Sequence, residues 1–335
     1  MEGKKQMLAT LVGCNYAGTP DELRGCINDV LVMRDTLVAR FGFAPRDITF
    51  LTDDDGGRGS SPSAVLPTGT NIKRALSEMV ARAAPGDVLF FHYSGHGTLV
   101  PRRHGHGYDE AIVPCDFNLI TDVDFRQLVD RVPQGATFTM VSDSCHSGGL
   151  IDQEKEQIGP SVADLAVDSP APPAASARAR FLPYAAVVGY LSGASGLGAS
   201  HHVADHLLAL FGADASDKFH HPRHHDSAPS PDGGILLSGC QTDETSADVS
   251  GDDDDDEAAG EGGSKACGAF SSAVQAVLAA HPAPVSNREV VTRAREVLRE
   301  KGFEQHPCLY CSDANADAPF LCQQEEKEPA AMPAL

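Results

Sequence analysis

The sequence predicts an α/β protein built on a mostly parallel central sheet, and three observations carry that expectation. Apolar runs of strand length alternate with stretches of helical periodicity over residues 1 to about 155, the order that βα crossovers produce. The run VLFF at 88–91 is apolar without alternation, as suits a strand covered on both faces. Strand-like runs at 88–91 and 136–143 each lead into a glycine-flanked reactive side chain, in HYSGHG and DSCHSGG. Such proteins build their sites at the carboxyl edge of the sheet.

Taken in order, QMLATLVG (6–13) reads as a strand, and 23–42 as a helix with one apolar face that stops at Gly42. DITFLTD (47–53) is a second strand, followed after a Gly/Ser/Pro loop by a helix at 71–83. Beyond the 88–91 strand come a helix at 122–132 and a strand at 136–143. From 156 to 232 the composition turns to Ala, Pro, Ser, Gly and His, as in PAPPAASARAR and HHPRHHDSAPSP. This is read as a linker in which 184–191 and 203–212 form at most short helices. A strand at 234–241, helices at 267–281 and 287–302 and a last strand at 307–311 follow. The acidic run GDDDDDE (251–257) reads as a solvated loop.

A chain of 335 residues with 41% hydrophobic content can bury a sizeable core. Its formal charge of −21 disfavours a phosphate backbone and favours cationic ligands, either metal ions or Lys/Arg-bearing peptides. No stretch has the length of a membrane span, and the start has no secretory h-region, so a cytoplasmic or nuclear protein is expected, without nucleic-acid or membrane partners. Nine scattered cysteines fit free thiols in a reducing compartment. Cys308 and Cys311 form one CxxC, half of what a zinc site needs, and read as strand residues. The linker histidines His220, His221, His224 and His225 read as adventitious ligands at most.

A thiol becomes a good nucleophile when an imidazole takes its proton, provided backbone N–H groups receive the oxyanion that forms. His96 and Cys145, 49 residues apart, supply the pair. Gly95, Gly97, Gly148 and Gly149 beside them let a substrate backbone come close. The amides of Gly97 and Cys145 are the expected oxyanion hole. Asp143 lies two residues before the nucleophile, where a carboxylate would pair with a guanidinium or ammonium and repel an acidic side chain.

With CNYAGT, ELRGCINDV, FFHYSGHG, GYDEAIVP, DSCHSGGLID, GILLSGCQTDETSAD and CLYC on the page in this order, the chain resembles the type II metacaspases of plants and green algae. The 49-residue separation is close to the caspase value of about 50, but the nucleophile box differs from that of caspases proper. The resemblance implies a caspase-like three-layer α/β/α sandwich around a mostly parallel sheet. It divides the chain into a large-subunit region at 1–158, a linker with autoprocessing sites at 159–232, a small-subunit region at 233–323 and a flexible tail at 324–335.

It also implies a calcium-activated cysteine endopeptidase, monomeric, made as a zymogen, cutting after Arg or Lys and linked by family association to programmed cell death. Position by position, the pocket for the residue before the cut maps to Cys26, Asp29, Ser94 and Asp143, with Asp243 a further candidate. Calcium maps to Asp109, Asp122, Asp124 and Asp152, hard oxygen ligands of the kind that ion takes. One departure is the short basic TLVPRRHGHG after His96, with Arg102, Arg103, His104 and His106, where plant members are acidic; a second calcium site there is expected to be lost. Candidate self-cleavage residues are Lys155, Arg178, Arg180, Lys218 and Arg223. The competing reading is a catalytically silent caspase-fold scaffold, and an asparaginyl peptidase is disfavoured by the histidine box.

Overall fold

The structure is a computed structural model and describes residues 5–54, 65–102, 107–151, 155–159, 177–198, 200–220, 234–241, 244–250 and 265–321. Along the chain, strand β1 (Met7–Gly13) leads to helix α1 (Cys26–Phe41), β2 (Ile48–Thr52), α2 (Gly69–Arg82) and β3 (Val88–Ser94). A small meander follows: β4 (Gly97–Pro101), β5 (Tyr108–Ile112) and β6 (Ile120–Thr121), running into α3 (Asp122–Val129) and β7 (Thr137–Asp143). Then come β8 (Glu156–Ile158), β9 (Ala177–Ala179), α4 (Tyr184–Ser195), α5 (Val203–Phe211) and α6 (Asp217–His220). The chain closes with β10 (Ile235–Ser238), β11 (Ala247–Val249), β12 (Cys267–Gly268), α7 (Ala269–Ala280), α8 (Asn287–Glu300), β13 (Cys308–Tyr310) and α9 (Asp313–Asp317).

The central sheet has the order β2-β1-β3-β7-β10-β13-β8. Its first five strands are parallel, and β13 and β8 add antiparallel pairings at one edge. Period-two alternation divides each strand between two cores. Leu8, Val12, Leu89, Phe91 and Met140 face α2 and α3, whereas Leu11, Val88, Phe90, Val141 and Leu237 face α1, α7 and α8. The result is the expected three-layer α/β/α sandwich. Helix α1 buries Val30, Met33 and Leu37 at helical spacing and ends at Gly42, whose φ of 75° is the left-handed conformation that favours glycine.

The segment read as a linker differs from that expectation, because its described part is built into the body. Leu182, Val187, Leu191, Val203 and Leu207 are buried in the same core as α2 and α3. An Ala/Gly-rich composition hides these apolar positions, since the spacing of a few large side chains decides whether a helix has a face to bury. The eight described cysteines are free thiols. No helix among the described residues is long and apolar enough to cross a membrane.

In the central strand, His92 is fully buried with Nε2 3.2 Å from Ser271 Oγ. Burial pushes its imidazole from an ordinary 6.5 down to about 4. The unfolded chain therefore takes up a proton below about pH 6.5 that the folded chain refuses until about pH 4, so stability falls as the pH drops through that window. In a Cys145→Ala background, moving from pH 7.5 to 5 is expected to cost about 2 kcal/mol through His92 alone. Urea unfolding of the His92→Gln variant should show a loss between the two pH values smaller by that amount.

Candidate active site

Parallel registry places the ends of β1, β3 and β7 side by side, with Gly13 beside Ser94 and Ser94 beside Asp143. His96 and Cys145 each follow two residues after these strand ends. The two loops touch so closely that a Cβ on Gly97 would collide with the Cys145 carbonyl oxygen. His146, next to the nucleophile candidate, has φ 52°, a conformation that non-glycine residues hold only when their surroundings enforce it.

The His96 ring is 3% exposed and lies against Tyr16, with centroids 4.7 Å apart. Its Nε2 lies 2.7 Å from the Asp21 carbonyl oxygen. A carbonyl can only accept, so Nε2 carries the hydrogen and Nδ1 presents a lone pair. That Nδ1 is buried and has no hydrogen-bond partner among the described residues. Burial also pushes the imidazole pKa down, which keeps the ring neutral and able to accept a proton. Cys145 is fully buried, and its Sγ accepts the Ser246 N–H at 2.9 Å. The thiol and the imidazole are therefore not hydrogen-bonded to one another in this state.

Across this site lies the chain's own segment 177–182. β9 pairs antiparallel with β11, and Arg180 N donates to Ser246 O at 2.8 Å. The Arg180 carbonyl oxygen accepts from Gly97 N at 3.0 Å and from Cys145 N at 3.3 Å. Leu182 N donates to Gly97 O at 2.9 Å, and the Phe181 ring meets His146 edge-on at 4.7 Å.

The Arg180 side chain is fully buried in an acidic pocket. Its Nη2 lies 2.8 Å from both Asp29 Oδ2 and Asp248 Oδ1. Its Nη1 lies 3.3 Å from Asp143 Oδ2 and donates to Ser94 Oγ at 2.7 Å. Each carboxylate is fixed from behind: Asp29 by Gly268 N, Asp143 by Ser246 Oγ and Ser271 N, Asp248 by the amides of Arg24 and Gly25. Burial raises Asp29 to about 6 even though Arg180 opposes the shift. Three carboxylates converging on one guanidinium give the pocket charge complementary to a cationic side chain.

Of the sequence candidates, Asp29, Ser94 and Asp143 meet at Arg180, and Gly97 and Cys145 turn their amides to its carbonyl. Cys26 is buried at the start of α1, and its thiol pKa is raised by that burial. Arg178 is exposed on β9 with Nη1 on the Glu22 carbonyl at 2.9 Å, outside the acidic pocket. Lys155 pairs with Asp313 at an exposed site beyond the cleft. Asp152, Asp243 and Arg223, the 251–257 run and the 324–335 tail lie outside the described residues. Sequence reasoning missed Ser246 and Asp248. The signal available was GCQTDETSAD itself, in which they lie two apart and so share a side of an extended segment.

Of the four aspartates proposed for calcium, Asp152 lies outside the described residues, and the three described ones do not form one shell. Asp109 and Asp122 converge, but on the Lys218 ammonium, at 2.8 and 2.7 Å. The other Asp109 oxygen takes Arg102 Nε at 2.7 Å. Asp124 turns away to cap α3, with its Oδ2 2.8 Å from Thr121 N. Calcium takes six to eight oxygens at about 2.3–2.6 Å. Among the described residues no group of three or more His, Cys, Asp or Glu side chains could hold a metal ion. As arranged, the three described aspartates do not by themselves fit calcium.

The model of the caspase domain family matches residues 6–319. The chain belongs to the caspase-domain family. Within it the relatives are metacaspases. The chain is 52% identical to Metacaspase-9 of Arabidopsis thaliana, over 95% of this chain and 98% of that one. It is 37% identical to Metacaspase-4 of the same plant, over 94% and 99%. To Metacaspase-1 of Yarrowia lipolytica it is 36% identical, over 92% of this chain and 62% of that one. Among solved structures, protein GSU0716 of Geobacter sulfurreducens superposes with a TM-score of 0.60 at 18% identity, covering 96% of this chain and all of that one; this bears on the fold alone. The chain is thus a plant-type (type II) metacaspase, a cysteine endopeptidase, and its substrates are proteins.

Proposed function

We propose that this metacaspase is a zymogen that cuts after arginine or lysine and takes its own Arg180–Phe181 bond as first substrate. The observation that carries the reading is Arg180 itself: its guanidinium is enclosed by Asp29, Asp143 and Asp248 while its carbonyl accepts both Gly97 N and Cys145 N. Strand pairing through β11 and Ser246 presents the bond as a substrate strand is presented.

In this reading Cys145 Sγ leaves its Ser246 contact and gives its proton to His96 Nδ1. The sulfur then adds to the Arg180 carbonyl carbon, and the oxyanion stays on the two amides. His96 next protonates the departing Phe181 nitrogen as the C–N bond breaks. The thioester left on Cys145 is hydrolysed by water, which His96 deprotonates in turn. The Asp21 carbonyl holds the imidazole in the tautomer this sequence of steps requires. Monomeric action without nucleic-acid partners is part of the proposal, supported by the −21 charge.

Purified full-length chain should convert to two fragments, the downstream one beginning at Phe181 when its amino terminus is sequenced. Arg180→Gln should abolish that terminus and Arg180→Lys should keep it. A first cut elsewhere in the active wild-type chain would sink the assignment.

A further inference from the structure

Lys218 lies on α6, between buried Phe219 and the Ser216 hydroxyl, which bonds to Thr121 Oγ1 at 2.8 Å at the start of α3. Its ammonium is inserted between Asp109 on β5 and Asp122 on α3, with 17% of the side chain exposed. Two carboxylates from separate elements thus converge on one point, and what stands there is a cation of the chain's own. With Arg102 on the second oxygen of Asp109, two positive groups already balance two negative ones. We propose that Lys218 is a tethered cation that takes the place of a divalent ion at the Asp109–Asp122 pair, so that calcium can bind there only by displacing it.

Two consequences follow from the geometry. A tethered ammonium competes at an effective concentration fixed by the fold rather than by solution, so the wild-type chain binds calcium weakly at this pair. A lysine locked in this way also cannot reach the Arg180 pocket, and Lys218 is not a cleavage point in the uncut chain. Removing the ammonium leaves two carboxylates facing one another, the charge count that attracts a divalent ion.

The test uses the full chain carrying Cys145→Ala, so that no cutting occurs and the result is independent of the proposed specificity. Calcium binding is measured by calorimetry, and the thermal midpoint with calcium and with chelator. Lys218→Ala should tighten calcium binding roughly tenfold or more, equivalent to about 1.4 kcal/mol, and should make the midpoint calcium-dependent. Lys218→Arg, which keeps the cation, should do neither. Adding Asp109→Asn to Lys218→Ala should erase the gain, which places the ion at this pair. Equal calcium affinity with and without Lys218, or tight binding by the Cys145→Ala parent, overturns the proposal.

Discussion

Cys145→Ala is expected to stop self-cleavage and all peptide hydrolysis, with a loss of roughly 10⁵-fold or more of the kind seen when a covalent nucleophile is removed. The alanine should leave the fold intact, because among the described residues the hydrogen bonds it removes are those of the Sγ with the Ser246 main chain and the Cys240 thiol. Arg180 should stay in its pocket, and gel electrophoresis should show one band after prolonged incubation. His96→Ala should cost nearly as much, since the proposed mechanism routes the thiol proton through its Nδ1, which has no hydrogen-bond partner among the described residues. The double variant should be little worse than either single one, because groups acting as a unit are not additive. Substantial turnover by Cys145→Ala would remove this thiol from the reaction.

The second large effect is expected at Asp29→Asn. Asparagine has the same shape, and its amide can donate to Ser94 Oγ while its oxygen keeps the Gly268 N–H. What it removes is the charge facing Arg180 Nη2. Removing one partner of a buried, hydrogen-bonded charge pair costs about 2–5 kcal/mol, so kcat/KM for arginyl and lysyl peptides should fall by roughly 30- to 5,000-fold. A peptide with citrulline at that position, which has guanidinium-like shape without the charge, should lose far less. If both peptides lose equally, the variant has disturbed the cleft and the charge argument fails.

The parts of this site that were legible in the sequence are those that ride on regular elements. Buried β3 and β7 carry their signal in uninterrupted apolar runs, and parallel pairing then brings Ser94, His96, Asp143 and Cys145 to one edge. Asp29 was reached through the family resemblance, by way of ELRGCINDV at the start of α1. Asp248 was not, because β11 is three residues long and pairs with β9 and β12 in a small sheet separate from the central one. The role of Arg180 was equally hidden: among several basic residues in a low-complexity stretch, only three-dimensional contact distinguishes the one whose side chain is enclosed. Lys218 was read as a candidate cleavage residue because nothing local shows that Asp109 and Asp122 meet at its ammonium.

The Arg180–Phe181 bond divides two differently anchored segments. Downstream, Leu182 and the helices after it are held in the core. Upstream, β9 remains covalently joined to β8, itself paired to β13 in the central sheet. Cutting the bond therefore creates a product that cannot diffuse away. Its arginine stays leashed beside the pocket that cut it, where a short tether keeps a ligand at about millimolar effective concentration. If Arg180–Phe181 is the bond cut, the fresh product is expected to act as its own competitive inhibitor, and a lag should separate the appearance of the cut from the first turnover of an outside peptide.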